Sequence, residues 1–203
     1  MGRHLVIFGL GYSGAALAQH AVASGVPTTI VSRRPDAVQP PGVALASFDA
    51  PPIETATHLV ATAAPDEGGD PVLARYAAAI AAAPGLRWIG YLSTTGVYGD
   101  RGGAWVDEAT PPAPGSQRGH RRVAAEQAWC AVGRGRAVDL CRLAGIYGPG
   151  RSVFDELRAG AGAPGGQAGP CVRPHSPRRH RRRAVGGDRA GAGAGSARAE
   201  PGR

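Results

Sequence analysis

An apolar run followed by three closely spaced glycines constrains the fold of this chain more than any other feature. Residues 5–8 are all apolar, and Gly9, Gly11 and Gly14 follow them directly. This order is typical of a buried strand that turns tightly into a helix, because glycine permits both the sharp turn and the close packing of helix on strand. An amphipathic stretch over 13–23 and a second apolar run over 28–31 complete a predicted β-α-β unit.

The predicted turn has a chemical consequence. The first N–H groups of a helix are free and the helix dipole is positive there, so such a turn suits a diphosphate. The glycine spacing predicts a Rossmann-type dinucleotide site, in which Gly11 lets the backbone approach the pyrophosphate. An ordinary strand-to-helix connection is the alternative, because glycine is abundant here, with 32 of 203 residues.

The end of the second predicted strand bears on the choice of cofactor. NAD-preferring domains usually carry a carboxylate at this point, whereas this chain has Ser32, Arg33 and Arg34. A guanidinium group can bind a phosphate through two parallel hydrogen bonds. We therefore expect NADP to be favoured over NAD, the alternative being that both arginines merely solvate a loop.

Apolar runs alternate with helical patterns throughout the first 159 residues, which predicts an α/β fold with a doubly wound parallel sheet. Strands are predicted at 5–8, 28–31, 44–48, 58–62, 88–93 and 137–143, and helices at 13–23, 71–83 and 119–132. A helix between the second and third strands is expected to be shortened, because Pro35, Pro40 and Pro41 interrupt that span.

Several candidate site residues follow the predicted strands, at the carboxyl edge where such sheets bind ligands. Asp49 could accept a hydrogen bond from an adenine amino group or simply cap a turn. Ala63 and Ala64 are small enough for a cofactor to lie against the backbone, and Thr94 belongs to a hydroxyl cluster that suits a substrate carbonyl or serves as a local cap. The candidate cofactor-binding residues are Gly9, Gly11, Tyr12, Ser13, Gly14, Ser32, Arg33, Arg34, Asp49, Ala63 and Ala64.

Four segments resemble, in order, motifs of the NAD-dependent epimerases and dehydratases, the extended branch of the short-chain dehydrogenase/reductase superfamily. They are residues 9–14, 94–99, 123–126 and 142–150. The resemblance implies an NAD(P)-binding oxidoreductase or epimerase that acts on a sugar nucleotide or another carbonyl or alcohol substrate. It also implies a homodimer built through the helices at 71–83 and 119–132, although these Ala-rich helices could equally pack within one chain. A non-catalytic NADP-binding sensor or scaffold is the alternative.

The same resemblance identifies the catalytic candidates, Thr94 and Arg122. Thr94 stands where the family carries its catalytic Ser or Thr, and Arg118 and Arg122 replace the family's Tyr and Lys. Arg122 can still hold the nicotinamide ribose, whereas Arg118 cannot serve as the proton-transferring phenol because a guanidinium does not deprotonate. His120 and Tyr98 are alternative proton donors. No metal site is expected, since the three cysteines lack metal-ligand spacing.

Composition divides the chain into a predicted NAD(P)-binding domain, 1–159, and a tail, 160–203. The tail has no Leu, Ile, Met, Phe, Tyr or Trp, and its nine arginines against two acids account for nearly all of the net charge of +8. Such a segment cannot bury enough apolar surface to offset its ordering entropy, so we expect disorder.

The origin of the tail is a separate hypothesis. All 23 Lys and Arg positions are Arg, a bias typical of a GC-rich coding sequence. We interpret the tail as an out-of-frame continuation or a truncated substrate lobe, with a nucleic-acid-binding arm as the alternative. The chain has no apolar stretch of about 18 residues and no signal peptide pattern, so we expect a soluble, cytoplasmic protein.

Overall fold

The computed structural model describes residues 2–34, 36–152, 155 and 158. The strands are β1 Leu5–Phe8, β2 Thr28–Ser32, β3 Ala44–Ser47, β4 His58–Ala61, β5 Trp88–Thr94 and β6 Ala137–Leu143. The helices are α1 Tyr12–Ala23, α2 Pro71–Ala82 and α3 Gln117–Val132, and short 3-10 turns lie at Ile53–Thr55 and Thr95–Tyr98.

The six strands form one parallel sheet in the order β3-β2-β1-β4-β5-β6. The predicted fold class is confirmed, and the predicted strands and helices lie within two residues of the observed ones. One detail differs: the described residues between β2 and β3 form no helix, which fits a proline-rich connection that cannot sustain helical hydrogen bonds.

The sheet is covered on both faces. Alternate residues of a strand point to opposite faces, so Val6 and Phe8 pack towards α2 and α3, while Leu5 and Ile7 pack towards α1. Trp129 of α3 is fully buried in the first of these layers. Burial on both faces explains why the central strands read as unbroken apolar runs.

Local signals set the helix starts. Asp70 caps α2 by accepting hydrogen bonds from the N–H groups of Val72 and Leu73, and Pro71 follows in the first turn, where its missing N–H costs nothing. The second carboxylate oxygen of Asp70 accepts a hydrogen bond from the indole of Trp129 at 2.9 Å. This contact joins α2 to α3.

The predicted tail, 160–203, lies outside the described residues. Within the described part, none of the helices has the length and apolar character needed to cross a bilayer.

Candidate functional site

The glycine-rich turn follows β1 as the sequence predicts. Gly9 has a φ of +115°, a conformation that side chains other than glycine rarely adopt, and a Cβ there would collide with the hydroxyl of Thr62. A Cβ on Gly14 would collide with the carbonyl oxygen of Gly9. These two glycines are therefore required by the turn itself and by the packing of α1 against it.

Gly11 differs from its two neighbours. Its φ is −102°, and a Cβ added there would meet no atom within 4 Å. Open space therefore lies in front of Gly11, and neither the backbone conformation nor the packing of the protein requires a glycine at this position. Helix α1 begins here without a side-chain cap and without an acidic residue in its first turn. Its first N–H groups are thus left for a ligand, and an anion suits them best.

A cavity of about 320 Å³ opens beside this turn, and we call it the β2 cavity. Its lining residues are Phe8, Gly9, Leu10, Gly11, Val31, Ser32, Arg33, Arg34, Phe48, Thr62, Ala63, Pro71 and Val72. The backbone N–H of Arg34 donates to the Ser32 hydroxyl at 3.1 Å, and the Arg34 guanidinium lies 3.4 Å from the carbonyl oxygen of Leu10. Arg33 and Arg34 are exposed, and both line this cavity.

The structure places only some of the predicted cofactor-binding residues that follow β3 and β4 in the β2 cavity. Ala63 lines the β2 cavity, whereas Asp49 and Ala64 are not among its lining residues. The carboxylate of Asp49 instead accepts a hydrogen bond of 2.6 Å from Arg75. Phe48, which precedes Asp49 in the sequence, was not among the predicted site residues. It lines the β2 cavity, and its aromatic ring is suited to stacking on a base.

A second cavity, of about 380 Å³, lies at the carboxyl end of β5, and we call it the β5 cavity. It is lined by Gly11, Tyr12, Ser13, Gly14, Thr62, Leu92, Ser93, Thr94, Arg118, Arg122, Leu143, Ala144, Gly145, Ile146 and Arg151. The fold thus brings Thr94 and Arg122, the two catalytic candidates, into one cavity with the first residues of α1. The Thr94 hydroxyl also accepts a hydrogen bond from the Gly96 N–H at 3.2 Å, so it caps the turn that follows β5.

Hydrogen bonds to β5 fix the side chain of Arg122. One of its terminal nitrogens donates to the Tyr91 hydroxyl and to the Leu92 carbonyl oxygen, each at 3.0 Å. Its Nε is buried and has no hydrogen-bond partner within the described residues. Burial raises the pKa of Tyr91 to about 12, although the nearby Arg122 favours the phenolate. The phenol therefore stays neutral at physiological pH and positions Arg122 without balancing its charge.

The two alternative proton donors are placed differently. The hydroxyl of Tyr98 donates to the Asp107 carbonyl oxygen at 2.7 Å and accepts a hydrogen bond from Arg142 at 3.1 Å, so its proton is engaged. His120 is exposed on α3, its ring bonds to the Ser116 carbonyl oxygen, and it does not line the β5 cavity. Arg118 does line that cavity.

A buried network supports the cavity from α3. Glu126 is 3% exposed and accepts hydrogen bonds from Ser93 at 2.5 Å and from the guanidinium of Arg142 at 2.8 Å. The hydrogen bonds to Glu126 raise the pKa of Arg142, so this charge persists at any physiological pH. Glu126 and Arg142 both lie in segments that resemble family motifs, 123–126 and 142–150. Only the contact between the two side chains shows that they fix α3 to β5 and β6.

Arg151 is a cavity residue that sequence reasoning missed. Its guanidinium lies 5.6 Å from the centre of the Tyr12 ring, and the Tyr12 hydroxyl donates to the Pro149 carbonyl oxygen at 3.3 Å. The segment after β6 therefore lies across the glycine-rich turn. No spacing rule connects residues so far apart in the chain. Within the described residues, no group of three or more His, Cys, Asp or Glu side chains could hold a metal ion.

Comparisons with known proteins agree with this architecture. No family model matches the chain, and neither does any curated protein. Among solved structures, a conserved protein of unknown function from Silicibacter pomeroyi DSS is 46% identical, with a TM-score of 0.69 over 74% of this chain. A provisionally assigned NAD-dependent epimerase/dehydratase from Methylobacillus flagellatus is 26% identical, with a TM-score of 0.61 over 78% of this chain.

A more distant neighbour shows the fold alone. The UDP-glucose 4-epimerase of Thermus thermophilus, solved in complex with NAD, is 20% identical, with a TM-score of 0.57 over 73% of this chain. The chain covers 56%, 59% and 57% of the lengths of these three proteins, less than two thirds in each case. The chain is therefore similar in fold to structures described as NAD-dependent epimerases and dehydratases, in agreement with the resemblance of its sequence motifs.

Proposed function

We propose that the chain binds a nicotinamide dinucleotide across the carboxyl edge of its sheet. The observation that carries the proposal is the open space in front of Gly11 beside the uncapped start of α1, because a diphosphate suits that space and a side chain on residue 11 would occupy part of it. The β2 and β5 cavities extend from this point to either side and share Gly11 and Thr62. The Thermus thermophilus neighbour is solved in complex with NAD, which supports a nicotinamide dinucleotide as the cofactor.

The proposed cofactor is NADP, with NAD as the weaker ligand. Ser32, Arg33 and Arg34 line the β2 cavity, and no Asp or Glu is among the residues that line it. The 2'-phosphate of NADP would gain charge-assisted hydrogen bonds from the two guanidinium groups. A cofactor without that phosphate would leave both arginines solvated.

The nicotinamide end is proposed to lie in the β5 cavity, next to Thr94 and Arg122. When bound, the cofactor supplies hydride transfer at its nicotinamide ring. The Thr94 hydroxyl would donate to a substrate carbonyl oxygen or accept from an alcohol, and Arg122 would hold the ribose. The activity proposed is that of an oxidoreductase or epimerase on a sugar nucleotide or another carbonyl or alcohol substrate, as the names of the neighbours suggest.

A non-catalytic NADP sensor is a second candidate, and one observation favours it. Arg118 lines the β5 cavity where an ionisable phenol would be needed, and its guanidinium cannot exchange a proton near neutral pH. Tyr98 does not replace the phenol because its hydroxyl is engaged by Asp107 and Arg142. NADPH oxidation with any member of a carbonyl and sugar-nucleotide panel would favour the enzyme, and NADPH binding without turnover would favour the sensor.

Cofactor preference provides the direct test. Fluorescence titration of the full chain should show tighter binding of NADPH than of NADH by about tenfold or more, because a phosphate bound by two arginines adds charge-assisted hydrogen bonds. The double variant Arg33→Asp, Arg34→Ala should lose or reverse this preference. Arg87→Ala removes an exposed arginine at the opposite edge of the sheet and should leave it unchanged.

Two results would contradict the proposal. Equal affinities for NADPH and NADH in the unchanged chain would remove the NADP assignment. Absence of binding of either cofactor would remove the dinucleotide site as well.

A further inference from the structure

The β5 cavity carries an excess of positive charge. Arg118, Arg122 and Arg151 all line it, and none of its lining residues is Asp or Glu. A cleft lined by charges of one sign focuses their field and raises the local concentration of anions. The three arginines come from two separate segments, so their convergence is a property of the fold.

Arg122 is a buried cation for which the described residues provide no counter-ion. Its side chain is part of a residue only 7% exposed, and its hydrogen-bond partners, Tyr91 and Leu92, are neutral. Its Nε has no partner in the described part of the chain. The next acid along α3, Glu126, is already bonded to Arg142. Burying a charge is costly unless it is paired and hydrogen-bonded, so Arg122 is in an environment that an anion would complete.

Arg118, an exposed residue, adds a second positive charge on the same helix face. It lies one turn before Arg122, and like charges at this spacing destabilise a helix. It also lies in the first turn of α3, where the helix dipole disfavours cations and where no acidic residue is present. Its neighbour Arg121 is paired with Glu67, whereas the described residues offer Arg118 neither a hydrogen bond nor an ion pair.

The proposed cofactor does not neutralise this pair of charges, because the ribose proposed to contact Arg122 is uncharged. Its diphosphate is expected at the glycine-rich turn after β1, where Arg151 stacks on Tyr12. Strand β4 lies between β1 and β5, so two strand spacings, about 10 Å, separate that turn from the end of β5. Arg118 and Arg122 approach from α3 at this far end, beside Thr94.

We propose that Arg118 and Arg122 bind an oxyanion group of the substrate, a carboxylate or a phosphate, next to Thr94. The assignment of this group to a substrate rests on the proposed function, since the cofactor is expected to occupy the rest of the edge. It gives Arg118 a role that a phenol could not fill: two guanidinium groups form a site of fixed charge for an anion. The substrate class is thus a small anionic carbonyl or alcohol compound.

The experiment measures anion binding by calorimetry on the full chain, with and without saturating NADPH. The probes are oxalate and inorganic phosphate, with acetamide as a neutral control. At least one anion should bind and acetamide should not. Arg118→Gln should weaken anion binding by about tenfold, because it removes a charged donor, and should leave the NADPH affinity unchanged. Arg134→Gln, at an exposed arginine just beyond α3 and outside the cavity, should leave both unchanged.

The outcomes distinguish a carboxylate from a phosphate substrate, and they distinguish failure of the anion site from failure of the proposed cofactor site. Tighter binding of oxalate identifies a carboxylate substrate, and tighter binding of phosphate identifies a phosphorylated one. An absence of heat at millimolar anion, or equal anion affinity in the unchanged chain and in Arg118→Gln, would overturn the inference. If NADPH does not bind but the anion results hold, only the proposed cofactor function fails. Thermal melting followed by circular dichroism checks that each variant is folded.

Discussion

The carboxylate of Glu126 joins three elements, α3, β5 and β6, through its hydrogen bonds. It is 3% exposed on α3, and it accepts hydrogen bonds from Ser93 of β5 and Arg142 of β6. Buried ion pairs are costly to form but still more costly to break, because the remaining charge is left without a partner. Arg142 would be that charge, since its side chain is only 16% exposed.

We expect Glu126→Gln to lower the free energy of unfolding by about 2–4 kcal/mol, since Arg142 would be left buried without a counter-ion. Urea denaturation measures the loss. Asp49→Asn is the matched control, because it breaks the ion pair with Arg75 in which both side chains are at least half exposed. Its loss should be below about 1 kcal/mol. Equal losses in the two variants would show that the Glu126 network does not stabilise the fold.

Tyr91 gives stability a dependence on alkaline pH. Its pKa is raised to about 12 by burial, from an ordinary value of 10.0, so the folded chain retains this proton more firmly than the unfolded chain does. The resulting stabilisation is complete below about pH 10 and is lost as the pH rises from about 10 to 12. A raised phenol pKa must act in this direction, because the unfolded state releases its proton first.

The measurement is urea unfolding from about pH 9 to about pH 11.5. The unchanged chain should lose up to about 2 kcal/mol through Tyr91, and Tyr91→Phe should lose less over the same interval. Tyr147→Phe, at a tyrosine 43% exposed, should retain the full decline. A decline in Tyr91→Phe as steep as in the unchanged chain would contradict this assignment.

At the level of elements, the turn from β1 to α1 separates structural glycines from one that faces a ligand. Gly14 has no room for a Cβ because the carbonyl oxygen of Gly9 occupies that space, whereas Gly11 faces open space. A sequence pattern treats these glycines as equivalent members of one motif. The structure shows that they serve packing and ligand access respectively.

We therefore expect Gly11→Ala and Gly14→Ala to fail in different ways. Gly14→Ala should lower the free energy of unfolding by about 1–3 kcal/mol, because its methyl group overpacks the helix against the turn. Gly11→Ala should change it by less than about 0.5 kcal/mol. It should weaken NADPH binding about tenfold, because the methyl group occupies space that the diphosphate needs. Melting and fluorescence titration measure the two effects, and intact NADPH affinity in Gly11→Ala would contradict the placement.

On the scale of the whole molecule, the strand order determines where the site lies. From β1 the chain proceeds outward through β2 and β3, and it then returns to continue on the other side through β4, β5 and β6. A crevice forms where the order reverses, outside the carboxyl ends of β1 and β4. Gly9 and Thr62 follow these two strands, and both line the β2 cavity. The separate loops meet there because all six strands are parallel.

Some whole-chain expectations stay predictions. The homodimer through α2 and α3 is one, and the domain boundary at residue 159 is another. The expected disorder, origin and nucleic-acid binding of 160–203 concern residues outside the described part of the chain. The cytoplasmic location is likewise a prediction.

Periodicity and turn chemistry were sufficient to predict the framework. The apolar runs of the strands and the tight turn at Gly9 depend on residues adjacent in the chain, and the observed elements agree with these predictions. The support of Arg122 by Tyr91, the stacking of Arg151 on Tyr12 and the binding of Asp49 by Arg75 could not be predicted in this way. These partners lie far apart in sequence, and they meet only because parallel strands bring their carboxyl ends, and the loops that follow, to one edge.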